Sequence, residues 1–268
     1  MRLIYILSDV ASWIEENKSK QINIYSTATK SGFSLWYLQR LFKIHSGMAL
    51  AKYIRLRKMS AAAIALRLSK KNIQELSRDL GYQSQASFST TFSRCYGISP
   101  RKFRDESYWS FEKMIHRYDY IPLIKKIKFK IKFDHEYIPI AKDMNILKLS
   151  EILDFQQEYR IKINVAKKNN TFTTNENIEQ SFFLCGKERK RNKPLKFLSV
   201  QVNEPLYRLK DIQSLLYAGL LPALSITRRP GCDIIIIDKD KLDNVMISSY
   251  MIPIKNLKSL NVNYTDYN

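Results

Sequence analysis

The sequence is poor in the residues that carry most cofactor and nucleophile chemistry. It holds three cysteines and three histidines. Cys95, Cys185 and Cys232 stand far apart without a CxxC pair, and His45, His116 and His135 do not complete a ligand set, so the spacing of a structural zinc site is missing. An odd number of scattered thiols without secretory features fits a reducing compartment. Seven glycines and eight prolines in 268 residues exclude a collagen-like or low-complexity chain. Long apolar runs are absent as well. Leu215 to Leu224 is the longest and is too short to span a bilayer. The opening Met1-Arg2-Leu3-Ile4-Tyr5-Ile6-Leu7 looks like a signal peptide, but Asp9, Glu15 and Glu16 interrupt it before an apolar core matures. A soluble, cytoplasmic protein is expected. No nucleophile elbow, HExxH or Walker-type loop is present, and Gly186-Lys187 has no glycine-rich stretch before it. Enzymatic activity, cofactors and metals are therefore not expected.

Positive charge, by contrast, is in excess. Against 25 acidic residues stand 45 Lys and Arg, a formal net charge of +20. Residues 1–104 carry 18 basic and 5 acidic side chains, so the field is concentrated in the smaller N-terminal part. Such a field attracts polyanions and speeds encounter with nucleic acid. It also serves solubility, so charge needs a motif beside it.

The first hundred residues read as helices. Leu3, Ile6, Leu7, Val10, Trp13 and Ile14 recur at helical spacing, with the polar face at Glu15–Lys20. A short helix over Ile24–Lys30 precedes Gly32-Phe33-Ser34. Ser34 is suited to cap the next helix, Leu35–His45, and Gly47 to stop it. A long helix over about Ala49–Leu68 follows. A second short helix, Ile73–Asp79, precedes a break at Gly81-Tyr82. A helix over Gln85–Tyr96 ends at Gly97, and Ser99-Pro100 opens a last turn. After Ser107 the pattern changes. Lys126 to Phe133 alternates strictly, the signature of a half-buried strand. Tyr137–Ala141, Lys196–Val202, Asp233–Ile237 and Met246–Ile254 are further strand candidates. Leu149–Val165 and Leu209–Leu221 read as helices, and 167–180 as a loop. The fold class expected is an all-α N-terminal domain followed by an α+β domain.

Short helix, glycine turn, longer helix occurs twice: Gly32-Phe33 matches Gly81-Tyr82, Leu38 matches Phe88, and Phe42 matches Phe92. These read as two helix-turn-helix units, at about 22–47 and 73–97. In the first, Leu38, Leu41 and Phe42 form the stripe expected to be buried. Trp36, Gln39, Arg40 and Lys43 fall on the opposite face. That face suits a major groove: Arg pairs bidentately with guanine, Gln with adenine, and an aromatic meets a thymine methyl. The helix between the units is roughly 30 Å long at 1.5 Å per residue, close to the roughly 34 Å of one DNA turn.

The residues from Ser34 to Lys43, Tyr53-Ile54-Arg55-Leu56-Arg57-Lys58, Gly81-Tyr82-Gln83-Ser84-Gln85, Phe88, Phe92, Tyr96-Gly97, Ser99-Pro100 and Phe103-Arg104 resemble AraC/XylS-type transcription regulators, and within them the MarA/SoxS/Rob group. The resemblance implies a regulator, usually an activator, that contacts promoter DNA and RNA polymerase, and hence a place on the nucleoid. It puts the base-reading positions on Trp36, Gln39 and Arg40 in the first unit and on Gln85, Ser89 and Thr90 in the second. Lys43, Arg55 and Lys58 are the candidate phosphate contacts. Close relatives carry Gln where this chain has Ala86 and Arg where it has Thr90, so the first unit is expected to dominate sequence reading. The second half, through Leu224 to Ile234 and Met251-Ile252-Pro253-Ile254, is similar to GyrI-like, Rob-like ligand-binding domains. The acidic residue expected there would fall around Ile235–Ile237, so an effector, if bound, should be apolar or anionic. The expected layout is a DNA-binding domain over 1–107, a linker over 108–120, a GyrI-like domain over 121–256 and a tail over 257–268.

Other features have plain readings. The run Lys187 to Lys193 is expected to be a solvated loop, with an extra phosphate or polymerase contact as the sharper reading. Arg228-Arg229 is expected in a surface turn. Phe182, Phe183, Phe197, Tyr207, Tyr217 and Tyr250 are expected in the core rather than around a pocket. The alternative to a regulator is a ligand- or protein-sequestering protein with degenerate DNA binding.

Overall fold

The computed structural model describes residues 2–18, 22–141, 159–163, 182–189, 194–239 and 244–256. The first part is helical: α1 (Arg2–Glu16), α2 (Ile24–Ser31), α3 (Leu35–Ser46), α4 (Leu50–Leu68), α5 (Ile73–Asp79), α6 (Gln85–Tyr96) and α7 (Pro100–Asp105). Their ends follow local chemistry. Ser34 Oγ accepts from the Tyr37 amide, and Ser84 Oγ from the Ser87 amide. Asn23 and Asn72 close capping boxes at the short helices. Gly47 and Gly97 end α3 and α6 at φ +67° and +81°, a left-handed region where a Cβ would be strained.

Two apolar clusters organise these helices. Leu7, Val10, Ala11 and Ile14 of α1 pack with Leu38, Leu41 and Phe42 of α3 and with Leu50, Tyr53 and Ile54 of α4. The far half of α4, from Met59 to Leu66, packs with Leu76, Leu80, Phe88, Phe92 and Phe103. Thus α4 carries one helix pair at each end. Its 19 residues span about 28 Å.

The second part is an antiparallel sheet around one long strand. The strands are β1 (Trp109–Ser110), β2 (Phe129–Asp134), β3 (Glu136–Ala141), β4 (Tyr159–Ile163), β5 (Phe182–Arg189), β6 (Leu195–Pro205), β7 (Thr227–Arg228), β8 (Asp233–Lys239) and β9 (Val245–Asn256). They run in the order β1-β7-β9-β8-β4-β5-β3, with β6 joining β9 to β2. A short helix α8 (Ile121–Ile124) precedes β2. After β6 come α9 (Leu209–Leu215), a π-helical turn over Leu216–Leu220 and α10 (Leu221–Ala223). The four isoleucines of β8 divide between the faces at the period of a strand. Ile235 and Ile237 enter the main core, whereas Ile234 and Ile236 join Phe197 and Met251 on the other side.

The main core is continuous from Met59 of α4 to Ile254 of β9. The 108–120 stretch joins both clusters: Trp109, Phe111 and Met114 are buried in the main core and Tyr118 in the cluster of α1 and α3, and β1 pairs with β7.

Several elements differ from the sequence expectation. Tyr159–Ile163, read as the end of a helix, is a strand between β5 and β8. Its alternation buries Ile161 and Ile163, and cross-strand partners on both sides override helical periodicity. The alternating run begins as strand only at Phe129; Phe129 and Ile131 pack against the main core, whereas Phe133 farther along the same face is exposed. Lys187–Arg189 lie in β5 instead of a loop, held there by pairing with β3. Residues 142–158, the 167–180 stretch, 190–193 and 257–268 lie outside the described residues.

Candidate nucleic-acid interface

α3 is held from behind. Leu38 and Phe42 are wholly buried and Leu41 nearly so. The Phe42 ring lies 4.9 Å from that of Tyr53 and 5.8 Å from that of Tyr118. This fixes the rotation of the helix and turns the other face out. Trp36 is 67% exposed, and Gln39, Arg40 and Lys43 are exposed beside it. The Arg40 guanidinium sits 5.3 Å from the Trp36 ring centroid, within cation–π range. A large indole left in water normally marks a surface meant to be covered. The outward row thus combines a flat apolar side chain, an amide and two cations.

α6 repeats the construction with different chemistry. Phe88 and Phe92 are wholly buried, 5.8 Å apart, with the Tyr82 ring edge-on to Phe88 at 5.5 Å. Gln85, Ala86 and Thr90 are exposed and Ser89 is half-buried. Neither α3 nor α6 contains a carboxylate. The outward face of α6 therefore tolerates an anion, but offers one amide and two hydroxyls where α3 offers an amide, a guanidinium and an ammonium.

Arg55 projects into solvent from α4. Lys58 is half-buried and donates to the Leu80 carbonyl at 3.3 Å. Burial holds its pKa below the usual lysine value. It thus stands at the end of α5, tied to the second helix pair.

The sequence reading missed two buried polar sites. Glu15, placed there on the polar face of α1, is 6% exposed and takes two hydrogen bonds from Arg57, from Nε at 2.6 Å and Nη2 at 3.1 Å. Arg57 Nη1 reaches the Ile115 carbonyl at 2.5 Å. Burial alone would raise the Glu15 carboxyl, but Arg57 and then Lys18 bring it down to about 2. The only prior signal was position, since Glu15 follows Val10, Ala11 and Ile14 on the buried stripe.

The second site lies in the sheet half. Arg228 is 3% exposed, not in a surface turn. Its Nη2 donates to Asp233 Oδ1 at 2.9 Å and to the Gly231 carbonyl at 2.7 Å. Tyr217 and Tyr250 donate to Asp233 Oδ2 at 2.6 and 2.7 Å, and Gln213 Nε2 donates to Tyr250 Oη at 3.2 Å. The Trp109 ring stacks on Tyr217 at 5.3 Å. Every oxygen of the carboxylate is thus met from within the chain. Phe197, Tyr217 and Tyr250 belong to the core as expected, but Tyr207 is 83% exposed. The side chains of Phe182 and Phe183 lie outside the described residues. Ile235, Ile236 and Ile237 are buried core residues. A recess of about 240 Å³ opens elsewhere, between Tyr96, Phe103, Tyr108 and Lys113. Among the described residues no helix is long and apolar enough to cross a membrane.

Comparison with known proteins assigns this arrangement. A family model described as a helix-turn-helix domain matches residues 27–106. The chain is 40% identical to the regulatory protein SoxS of Escherichia coli over 99 residues, which is 37% of this chain and 92% of SoxS. It is 29% identical over 266 residues to the F1 operon positive regulatory protein of Yersinia pestis, spanning 92% of this chain and 87% of that one. With the transcriptional regulator Rob of Salmonella typhimurium it shares 29% over 164 residues, 58% of this chain and 54% of Rob. The chain is a DNA-binding transcription regulator rather than an enzyme. It belongs to the AraC family of helix-turn-helix regulators, in the group that contains SoxS and Rob.

Proposed function

We propose that the protein is a transcription activator that binds promoter DNA as a monomer, with α3 and α6 as recognition helices in adjacent major grooves. The outward row of α3, Trp36, Gln39, Arg40 and Lys43, carries this reading. Trp36, Gln39 and Arg40 read base edges from the first unit. Gln85, Ser89 and Thr90 read from the second, more weakly. Lys43, Arg55 and Lys58 meet phosphates, with Lys58 the most restrained because it is tied to Leu80. The length of α4, about 28 Å, supports two contacts about one DNA turn apart. The positive regulator from Yersinia pestis, similar along nearly the whole chain, supports activation, which requires contact with RNA polymerase.

Residues 121–256 form, on this reading, a GyrI-like effector-binding module attached to a DNA-binding domain over 1–107. The isoleucines at 235–237 and the internally satisfied Asp233 favour an apolar or anionic effector over a cation.

The test is selection of bound duplexes from random DNA by the full chain, followed by footprinting and sedimentation of the complex. Two protected patches one turn apart under a single chain are expected. Affinity should fall steeply with salt, since several phosphate contacts release counterions. Sequence-blind retention, or one chain per protected patch, would refute the reading.

A further inference from the structure

One face of α4 holds three buried polar side chains, Tyr53, Arg57 and Ser60, at 4%, 1% and 1% exposure. Their spacing, i, i+4 and i+7, sets them in a row along the helix. All three bond the backbone of one segment, 111–118. Tyr53 Oη accepts from the Tyr118 amide at 3.0 Å. Arg57 Nη1 donates to the Ile115 carbonyl at 2.5 Å, and Ser60 Oγ accepts from the Ile115 amide at 3.0 Å.

The same segment is bonded on its other side to the sheet half. The Phe111 amide donates to the Ile226 carbonyl at 2.8 Å, and the Arg117 amide to the Ala218 carbonyl at 2.9 Å. Ala218 lies in the π-helical turn that also supplies Tyr217 to Asp233. Such turns recur where a helix is locally re-aimed for function. Just beyond, Tyr120 Oη bonds Ser214 Oγ at 2.8 Å. Gly219 packs so closely there that a Cβ would meet Tyr120 at 3.0 Å and Ile124 at 3.2 Å. Polar side chains on a buried helix face cost stability unless each is paired. Here each of the three makes at least one of its hydrogen bonds to a segment shared with the second half, Arg57 in addition to its pair with Glu15.

We propose that Tyr53, Arg57 and Ser60 are positioning residues through which the second half sets the relative placement of α3 and α6 on DNA. The 111–118 segment is a splint on α4, the helix whose two ends carry the two recognition helices. A change in the π-helical turn reaches α4 through this splint without touching any residue that meets DNA. The inference rests on the reading of α3 and α6 as recognition helices, and it assigns that site's regulation to a backbone segment.

The experiment uses the full chain and an operator selected by the wild-type protein from random duplexes. A second duplex carries one base pair inserted between the two protected patches, a rotation of roughly one tenth of a turn. The variants are Y53F/S60A, which removes two of the ties, and Gly219→Ala, which presses on Tyr120 and Ile124 just past the splint. In both variants the wild-type preference for the selected spacing should shrink about tenfold, with faster amide exchange in 111–118. Loss of a merely structural contact would lower stability and leave the spacing preference unchanged. Faster exchange with the wild-type spacing preference intact therefore overturns the proposal. Should Y53F/S60A fail to fold, Gly219→Ala decides alone, because it changes no residue of α4. If the wild-type chain itself selects no operator, the reading of α3 and α6 fails, and this inference falls with it.

Discussion

Arg57 Nε and Glu15 Oε1 lie 2.6 Å apart, 42 residues from each other in sequence and both shielded from water. The pair joins α1 to α4 behind α3. Removing one partner leaves an uncompensated charge in the core. Arg57→Ala should destabilise the protein by about 3–5 kcal/mol, whereas the double replacement E15M/R57M should cost far less or nothing. Denaturant melts of the three chains check this. Equal losses in the single and double variants would contradict it.

Acid sensitivity follows from two groups with opposite charge logic. The Glu15 carboxyl sits at about 2 in the folded chain, below its ordinary 4.5. Its contribution is present above pH 4.5 and disappears as pH falls toward 2. Burial, then the nearby Arg57, hold His116 at about 4 rather than 6.5. The unfolded chain takes up that proton first, so stability declines as pH falls from 6.5 to 4, by up to about 3 kcal/mol. Melting temperatures of the wild type and His116→Asn from pH 7 to 4 should converge on the acid side. Parallel curves would show that His116 is not held neutral.

Discrimination between bases should be unevenly divided. Arg40→Ala removes the one exposed guanidinium in the outward row of α3, and should reduce selection at its base pair by about 1–3 kcal/mol. Thr90→Ala should cost well under half of that. Competition binding with single-base operator variants measures both. Equal effects would show that the two units read alike.

Trp36 and Phe42 lie six residues apart on opposite faces of α3. Trp36→Ala should weaken operator binding with a melting temperature close to wild type, because the indole is 67% exposed. Phe42→Ala should instead cost about 3–5 kcal/mol of stability. Paired melts and titrations of the two variants separate the roles. A large stability loss on removing Trp36 would place it in the core.

In the sheet half, Asp233→Ala should strand Arg228 and cost about 3–5 kcal/mol. Tyr250→Phe should cost about 1–2, since it removes one hydrogen bond to the carboxylate. Denaturant melts give both values. Near-equal losses would mean that the guanidinium finds another partner.

The amino-acid order by itself determined the helices of the first half and the outward row of α3. Caps such as Ser34, stops such as Gly47 and a 3.6-residue apolar stripe all act within one or two turns, and neighbouring residues suffice to express them. It did not determine which β8 isoleucines meet the main core, because a uniform run carries no alternation; the packing around the sheet decided that. The tertiary structure alone decided that Tyr159–Ile163 pairs between two strands rather than ending a helix. It likewise decided that Glu15 and Arg228 are interior, and that 108–120 is packed between the halves. Three of those outcomes depend on a partner distant in sequence: Ile235 for Ile161, Arg57 for Glu15, Ser60 for Ile115. A local pattern carries no record of such a partner, and for a buried charge the partner changes the sign of the free energy.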